Sequence, residues 1–179
     1  MRIALGVALL LLGCGGSDSP SDIGSETSGL EREIRGFTLA ETKEGKLLWE
    51  LESEYAWRLP QEHRIHLEDV KIVFFDANGN ETSRLTAYKG VVDEETGIMT
   101  AQSRVKLIST EGDTLTTEEL NYDKEKDRVS GPGFVRLTKP DRVMTGFEFE
   151  ANPNLTDYEV RRDVTITVLD RDGNVETGP

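Results

Sequence analysis

The chain has 179 residues, 36 % of them apolar, with a net charge of −13 and a pI near 4.6. That length suits one domain. The charge argues against a nucleic-acid partner, whose phosphates would repel this surface, and against passive adhesion to anionic lipid heads. Cys14 is the single cysteine, so no intramolecular disulfide forms.

Residues 1–13 read as a signal peptide. Met1 and Arg2 are followed by IALGVALLLLG, apolar or small throughout and too short to span a bilayer. The run ends in Leu11-Leu12-Gly13-Cys14. This resembles the bacterial lipoprotein signal, with Leu12 where a small residue is commoner. The resemblance implies cleavage before Cys14, acylation of that cysteine and a lipid anchor on a membrane. Residues 14–33 form the lipidated cysteine and a flexible linker, rich in Gly, Ser, Asp and Thr. A coil of about sixteen such residues has an end-to-end distance of roughly 20–25 Å.

Residues 34–169 read as one β domain. Ile34 to Ala40 is the first strand, with Gly36 a candidate bulge, and Thr42 to Gly45 turns the chain. Leu47 to Trp57 alternates, which sets Leu47, Trp49, Leu51, Tyr55 and Trp57 on one face and Glu50, Glu52 and Glu54 on the other. His63 to Phe75 is the next strand, and its apolar phase slips between Leu67 and Val70, which predicts a bulge near Glu68-Asp69. Asn78-Gly79 then marks a hairpin.

Leu85 to Leu107 reads as strand, acidic turn and strand, and the pattern returns at Leu115 to Leu137. Weaker copies lie at Val143 to Ile166 and Trp49 to Phe74. The matched valines Val70, Val105, Val135 and Val164 are offset by 35, 30 and 29 residues, about one hairpin each. Both best copies skip from i+2 to i+5 at the same place: Ala87 to Gly90, and Thr117 to Leu120. Gly131-Pro132-Gly133 predicts a bend in the second return strand. Val160 to Leu169 is the last strand, with Val164, Ile166 and Val168 on one face, and residues 170–179 are a frayed tail. No segment keeps a helical period. Such hairpins cannot each bury an apolar face alone, so they must join into one extended antiparallel β structure.

No constellation of catalytic or metal-ligating residues stands out. His63 and His66 point to opposite faces of a strand, which suits a shared metal poorly. Ser130-Gly131 lacks the strand–elbow–helix setting of a nucleophile. Asp76 to Gly79 and Asp170 to Gly173 place glycine too early for a calcium loop and suit hairpin turns. Glu94-Glu95 and Glu118-Glu119 read as solvated pairs. No cofactor is expected.

Three groups of residues carry a family pattern. The first is Ile34-Arg35-Gly36-Phe37-Thr38-Leu39, Gly45-Lys46, Trp49-Glu50-Leu51 and His66 to Val70. The second is Leu85-Thr86-Ala87 with Gly90, Asp93 and Thr96-Gly97, and Leu115-Thr116-Thr117 with Leu120, Tyr122 and Asp123. The third is Gly146 to Phe149, Asn154-Leu155 and Tyr158-Glu159-Val160. Together, over residues 34–168, they resemble the LptC family of periplasmic lipopolysaccharide-export proteins.

The resemblance implies an all-β fold: a single open, twisted antiparallel β-jellyroll with an apolar groove. It implies a transport and interaction protein and no enzyme. Its partners would be lipopolysaccharide, the periplasmic domains of an inner-membrane ABC transporter, and a bridge of LptA-like jellyrolls. Its place would be the periplasmic face of the inner membrane, held by the lipid anchor. A soluble bridge-type jellyroll, or another lipid-binding structural lipoprotein, is the alternative, and the lipobox separates the soluble bridge type from an anchored subunit.

Parity selects the residues expected to line one interior. From the first strands they are Phe37, Leu39, Trp49, Leu51, Ile72 and Phe74. From the two best repeats they are Leu85, Met99, Val105, Leu107, Leu115, Leu120, Tyr122, Val135 and Leu137, and from the ascending strand that carries Val143, Thr145, Phe147 and Phe149 they are Phe147 and Phe149. An open jellyroll also has two free edges. The first, with Arg35, Phe37 and Leu39, carries one charge between Ile34 and Ala40; the last, with Thr165, Thr167 and Leu169, carries none between Thr165 and Leu169. Both are expected to dock partner strands, the first edge facing the transporter and the last the bridge by resemblance.

Overall fold

The computed structural model describes residues 32–59 and 61–169. The signal peptide, Cys14, nearly all of the linker and the tail lie outside them. Nine strands follow one another: β1 (Arg32–Lys43), β2 (Lys46–Arg58), β3 (Arg64–Phe75), β4 (Glu81–Asp93), β5 (Met99–Ser109), β6 (Thr114–Asp123), β7 (Arg128–Lys139), β8 (Arg142–Ala151) and β9 (Tyr158–Val168). They form one antiparallel sheet whose strand order repeats the chain order, β1 to β9. The sheet is therefore open, with β1 and β9 at its edges. The fold class read from the sequence holds, as do the hairpin repeats, here β4–β5 and β6–β7.

Short turns join the strands, each with its own chemistry. Glu44-Gly45 takes φ of 53° and 77°, the left-handed pair of a two-residue hairpin. At Asp76 the carboxylate accepts the backbone N–H of Asn78 and of Asn80, at 2.8 and 2.9 Å. Asp93 and Asp123 repeat this device, accepting from the N–H groups of Thr96 and Glu125 at 2.9 and 3.1 Å.

A crease crosses the whole sheet. Every ladder is interrupted at one level: at Gly36 opposite Glu54, Glu54 opposite Asp69, Asp69 opposite Tyr88, and so on to Asp163 in β9. Gly36, Asp69, Ser103, Arg104, Glu148 and Asp163 all take positive φ there. Burial changes face at the same level. β2 buries Trp49, Leu51 and Ser53 and then Ala56; β3 buries Leu67 and then Val70; β4 buries Ala87 and then Gly90; β6 buries Thr117 and then Leu120. β5 carries one residue more there than β4 and β6, and β7 one more than its neighbours. The two halves of the creased sheet thus turn their apolar faces toward each other as two layers.

The crease corrects two expectations. Asp69 is not a bulge of β3 alone, because β2 and β4 change face at the same level and neither register shifts. Strict alternation along β2 also fails beyond Glu54: Tyr55 and Trp57 stand on the outer face, and Ala56 is buried in their place. The bend at Gly131 to Gly133 is present as a register shift, with β7 continuing through it.

Candidate functional site

The interior between the layers is built from inward rows of the ladders. One row runs Leu51, Ile72, Leu85, Leu107, Leu115, Leu137, Met144 and Ile166 through β2 to β9. Of the seventeen parity-selected residues, fourteen are at most 4 % exposed and share one core cluster. Phe37 and Leu39 are half-buried against that cluster. Phe147 is not in it. It is the direct partner of Phe134 on the outer face, ring centroids 5.5 Å apart, because Glu148 turns β8 over at the crease and returns Phe149 and Ala151 to the interior. Each fully buried Leu or Val contributes about 1.5–3 kcal/mol.

Aromatic side chains join the layers. Trp49 and Phe74 of one layer meet Tyr122 of the other edge-on, at 6.5 and 5.0 Å. The Tyr122 hydroxyl donates to Asp127 at 3.2 Å. Burial first, and the Asp127 carboxylate second, push its phenol above the usual range. Trp49 Nε1 is buried with no acceptor among the described residues.

The interior is closed. The free space among Leu51, Leu67, Val70, Leu85, Met99 and Leu120 is about 10 Å³, room for at most one water. A larger space is a cleft of about 410 Å³ at the seam where strand ends of the two layers meet. One lip is Lys43, Leu48, Phe75 and Thr82; the other is Lys124, Asp127, Pro153 and Asn154; Phe74 and Tyr122 lie between them.

Polar contacts fasten the seam on both sides of that cleft. On one side Lys124 Nζ lies 3.5 Å from Glu41 Oε2. On the other, Lys139 pairs with Asp113, donates to the Leu155 carbonyl at 3.3 Å and stands over the Tyr158 ring. Arg142 Nη2 also donates to Tyr158 Oη at 3.2 Å. Arg142 opens β8 and Tyr158 pairs with its last residue, Ala151. Ten extended residues would hold those ends roughly 30 Å apart, so this contact requires the crease. Leu155, fully buried, plugs the end of the core from the β8–β9 loop. The sequence reading missed Leu155 and the seam pairs; the charges lie far apart along the chain, and Asn154-Leu155 appeared only as part of the family pattern.

The two edges differ. Along β1, Phe37 and Leu39 are half-covered, while Ile34, opposite the buried Ala56, is 39 % exposed. Along β9, Val164, Ile166 and Val168 are 46, 54 and 51 % exposed. Ile166 belongs to the interior row, as partner of Met144. The backbone at this edge also alternates. Leu169 donates its N–H to the Asp141 carbonyl at 2.9 Å, so Thr167 and Thr165 likewise point their N–H groups into β8. The donors that point away from β8 belong to Ile166 and Val168. Thr165, Thr167 and Leu169, selected from the sequence as docking positions, spend their main-chain groups inside the sheet. β9 also begins at Tyr158, and its first half carries ion pairs, Arg161 with Glu150 at 2.9 Å and Arg162 with Glu148 at 2.8 Å.

The two histidines make separate contacts: His66 lies 2.8 Å from Glu62 and stacks on Trp57, and His63 faces Glu95. Among the described residues no group of acidic, histidine or cysteine side chains could hold a metal, and no helix is long and apolar enough to cross a membrane.

No curated protein matches the sequence. The family described as lipopolysaccharide-assembly, LptC-related, matches residues 9–169 of the 179. With nine sequential strands, an apolar interior and two open edges, the chain belongs to this LptC-related family, whose work is lipopolysaccharide transport in the bacterial envelope.

Proposed function

We propose that this protein is a membrane-anchored subunit of the export machinery, receiving lipopolysaccharide from an inner-membrane ABC transporter and passing it to a periplasmic bridge of like jellyrolls. One observation carries the reading: the apolar inner face does not stop where the core stops. In a single register row Leu137 is 2 % exposed, Met144 packs on the core, and Ile166 is 54 % exposed at an edge with no neighbouring strand among the described residues. A second sheet pairing with β9 would extend both the ladder and this apolar face. Acyl chains would then pass between domains without crossing water. β1 offers the transporter's periplasmic domains an edge of the same kind, with Phe37 and Leu39 beneath it. Acylated Cys14 holds the domain at the periplasmic face of the inner membrane.

The packed interior sets a condition on this reading. A slot of about 10 Å³ admits no acyl chain, so the layers part along the seam when lipid enters. Photo-crosslinking amino acids at Leu107 and Phe74 should capture lipopolysaccharide during transport, and those at Glu52 and Lys106 on the outer face should not. Equal capture on both faces would refute the groove. In the same cells, Cys14→Ser should move the protein from the membrane fraction to the periplasm; retention on membranes would refute the anchor.

A further inference from the structure

One outward region runs against the acidity of the chain. The row Lys71, Thr86, Lys106, Thr116, Arg136, Thr145 crosses β3 to β8 with three cations and no carboxylate. Glu52 engages Lys71 at 2.9 Å. Among the described residues Lys106 and Arg136 have no ion-pair partner. Beside them the chain is distorted: β5 carries its extra residue between Gln102 and Val105, and Ser103 and Arg104 are both left-handed, with φ of 63° and 54°. A bulge of this kind re-aims a side chain, and strained backbone of this kind gathers where a group must be held in place. Here it accompanies Arg104 standing over the Tyr88 ring, 5.3 Å from its centroid.

The result is a hollow of about 370 Å³ lined by Arg104, Lys106, Thr116, Glu118, Phe134 and Arg136. Three cations face one carboxylate across a hydroxyl and an apolar wall. We propose that this hollow binds a phosphate group, on the outer face and apart from the interior that the transport reading uses. Arg104 and Arg136 supply planar two-pronged donors that match phosphate oxygens, and Lys106 supplies a point charge. The local surplus of two positive charges matches a phosphomonoester dianion. A polynucleotide does not fit, because the site has a net surplus of only two positive charges on a chain that is otherwise negative. Phe134 and Tyr88, exposed at 51 % and 45 %, flank the cations and offer apolar platforms for the ring or chain that bears the phosphate. That phosphate belongs either to a phosphorylated sugar, a monoester that uses both charges, or to a phospholipid head, a diester monoanion that uses one of them.

The test uses the intact domain with glucosamine 6-phosphate, and with phosphatidylglycerol and phosphatidylcholine vesicles. Amide shifts should saturate with the sugar phosphate at residues 103–106 and 134–136, or, if the source is a lipid head, the protein should co-sediment with phosphatidylglycerol vesicles alone. In either arm Arg104→Gln with Arg136→Gln should weaken binding at least tenfold, and Glu118→Gln should tighten it. These positions are exposed, so unchanged melting curves would show that the variants keep their fold. The proposal is overturned if neither probe binds, or if the double variant binds either probe as well as the parent.

Discussion

Asp76, Asp93 and Asp123 each hold a hairpin turn by accepting backbone N–H groups through a carboxylate. Asp93 is held below the usual carboxylate range chiefly by the Thr96 N–H, then by the Thr96 hydroxyl and Arg64; Asp76 by Asn80; Asp123 by the Lys126 ammonium. A depressed carboxylate stabilises the fold above the unfolded value of 3.8, and that contribution disappears as pH falls through the lower folded value. Acid should therefore loosen these turns below pH ~3.8 and leave neutral stability untouched. A carbon-detected titration of Asp93 should give a midpoint under 3.8, and Asp93→Asn should flatten the acid limb of the stability curve. A midpoint at or above the unfolded value would show that the turn bonds do not favour the charged form. The Asp76 turn was legible in the sequence, since Asp-x-x-Gly and Asn-Gly between alternating runs already specify left-handed turn backbone; at Asp93 and Asp123 only an acidic turn could be read, and no glycine follows Asp123 in its turn.

At the scale of the element, the crease decides what the sequence could tell. In β4 and β6 the skip of three was visible, because small or apolar residues mark both sides of it: Ala87 and Gly90, Thr117 and Leu120. In β2 it was hidden. Tyr55 and Trp57 continue the alternation of Trp49 and Leu51, so parity carries straight past Glu54, where nothing glycine-like announces a change of face. Phe147 was misplaced for the same reason. Aromatic residues on an outer face are indistinguishable from core residues until the crease is known. The edge strands yield a sharper test. Proline at Ile166 removes a free donor that only a partner strand would use, whereas proline at Thr167 removes a donor pledged to β8. Ile166→Pro should keep most of the melting temperature and abolish pull-down of a bridge jellyroll. Thr167→Pro should destabilise the domain itself by about 1–3 kcal/mol, the cost of leaving its acceptor in β8 unpaired. If the bridge binds Ile166→Pro normally, β9 is not its docking edge.

At the scale of the whole molecule, two layers of one sheet are held shut by side chains across the seam. Lys139 carries the most, with Asp113 almost fully buried beneath it. Lys139→Met leaves that carboxylate without its cation, which should cost about 3 kcal/mol. The companion variant Lys139→Met with Asp113→Asn should recover part of that loss and still leave the seam looser. Hydrogen exchange at Leu155 to Tyr158 should quicken in both variants, and lipid capture at Leu107 should rise in the double one. Unchanged exchange there would mean that apolar packing alone closes the domain. Neither Lys139 nor Asp113 could be singled out beforehand, because their 26-residue separation acquires meaning only once the crease brings the strand ends together.

Strand order that repeats chain order has a kinetic consequence. Every ladder joins segments already connected by a turn of a few residues. No pairing waits for a distant segment to arrive, so the entropy of loop closure stays that of a hairpin throughout. Growth proceeds one strand at a time from whichever hairpin nucleates first, as it does in solenoids. A chain that emerges N-terminus first meets its pairing partners in the order in which they appear. It never has to hold a strand in reserve for one still to come.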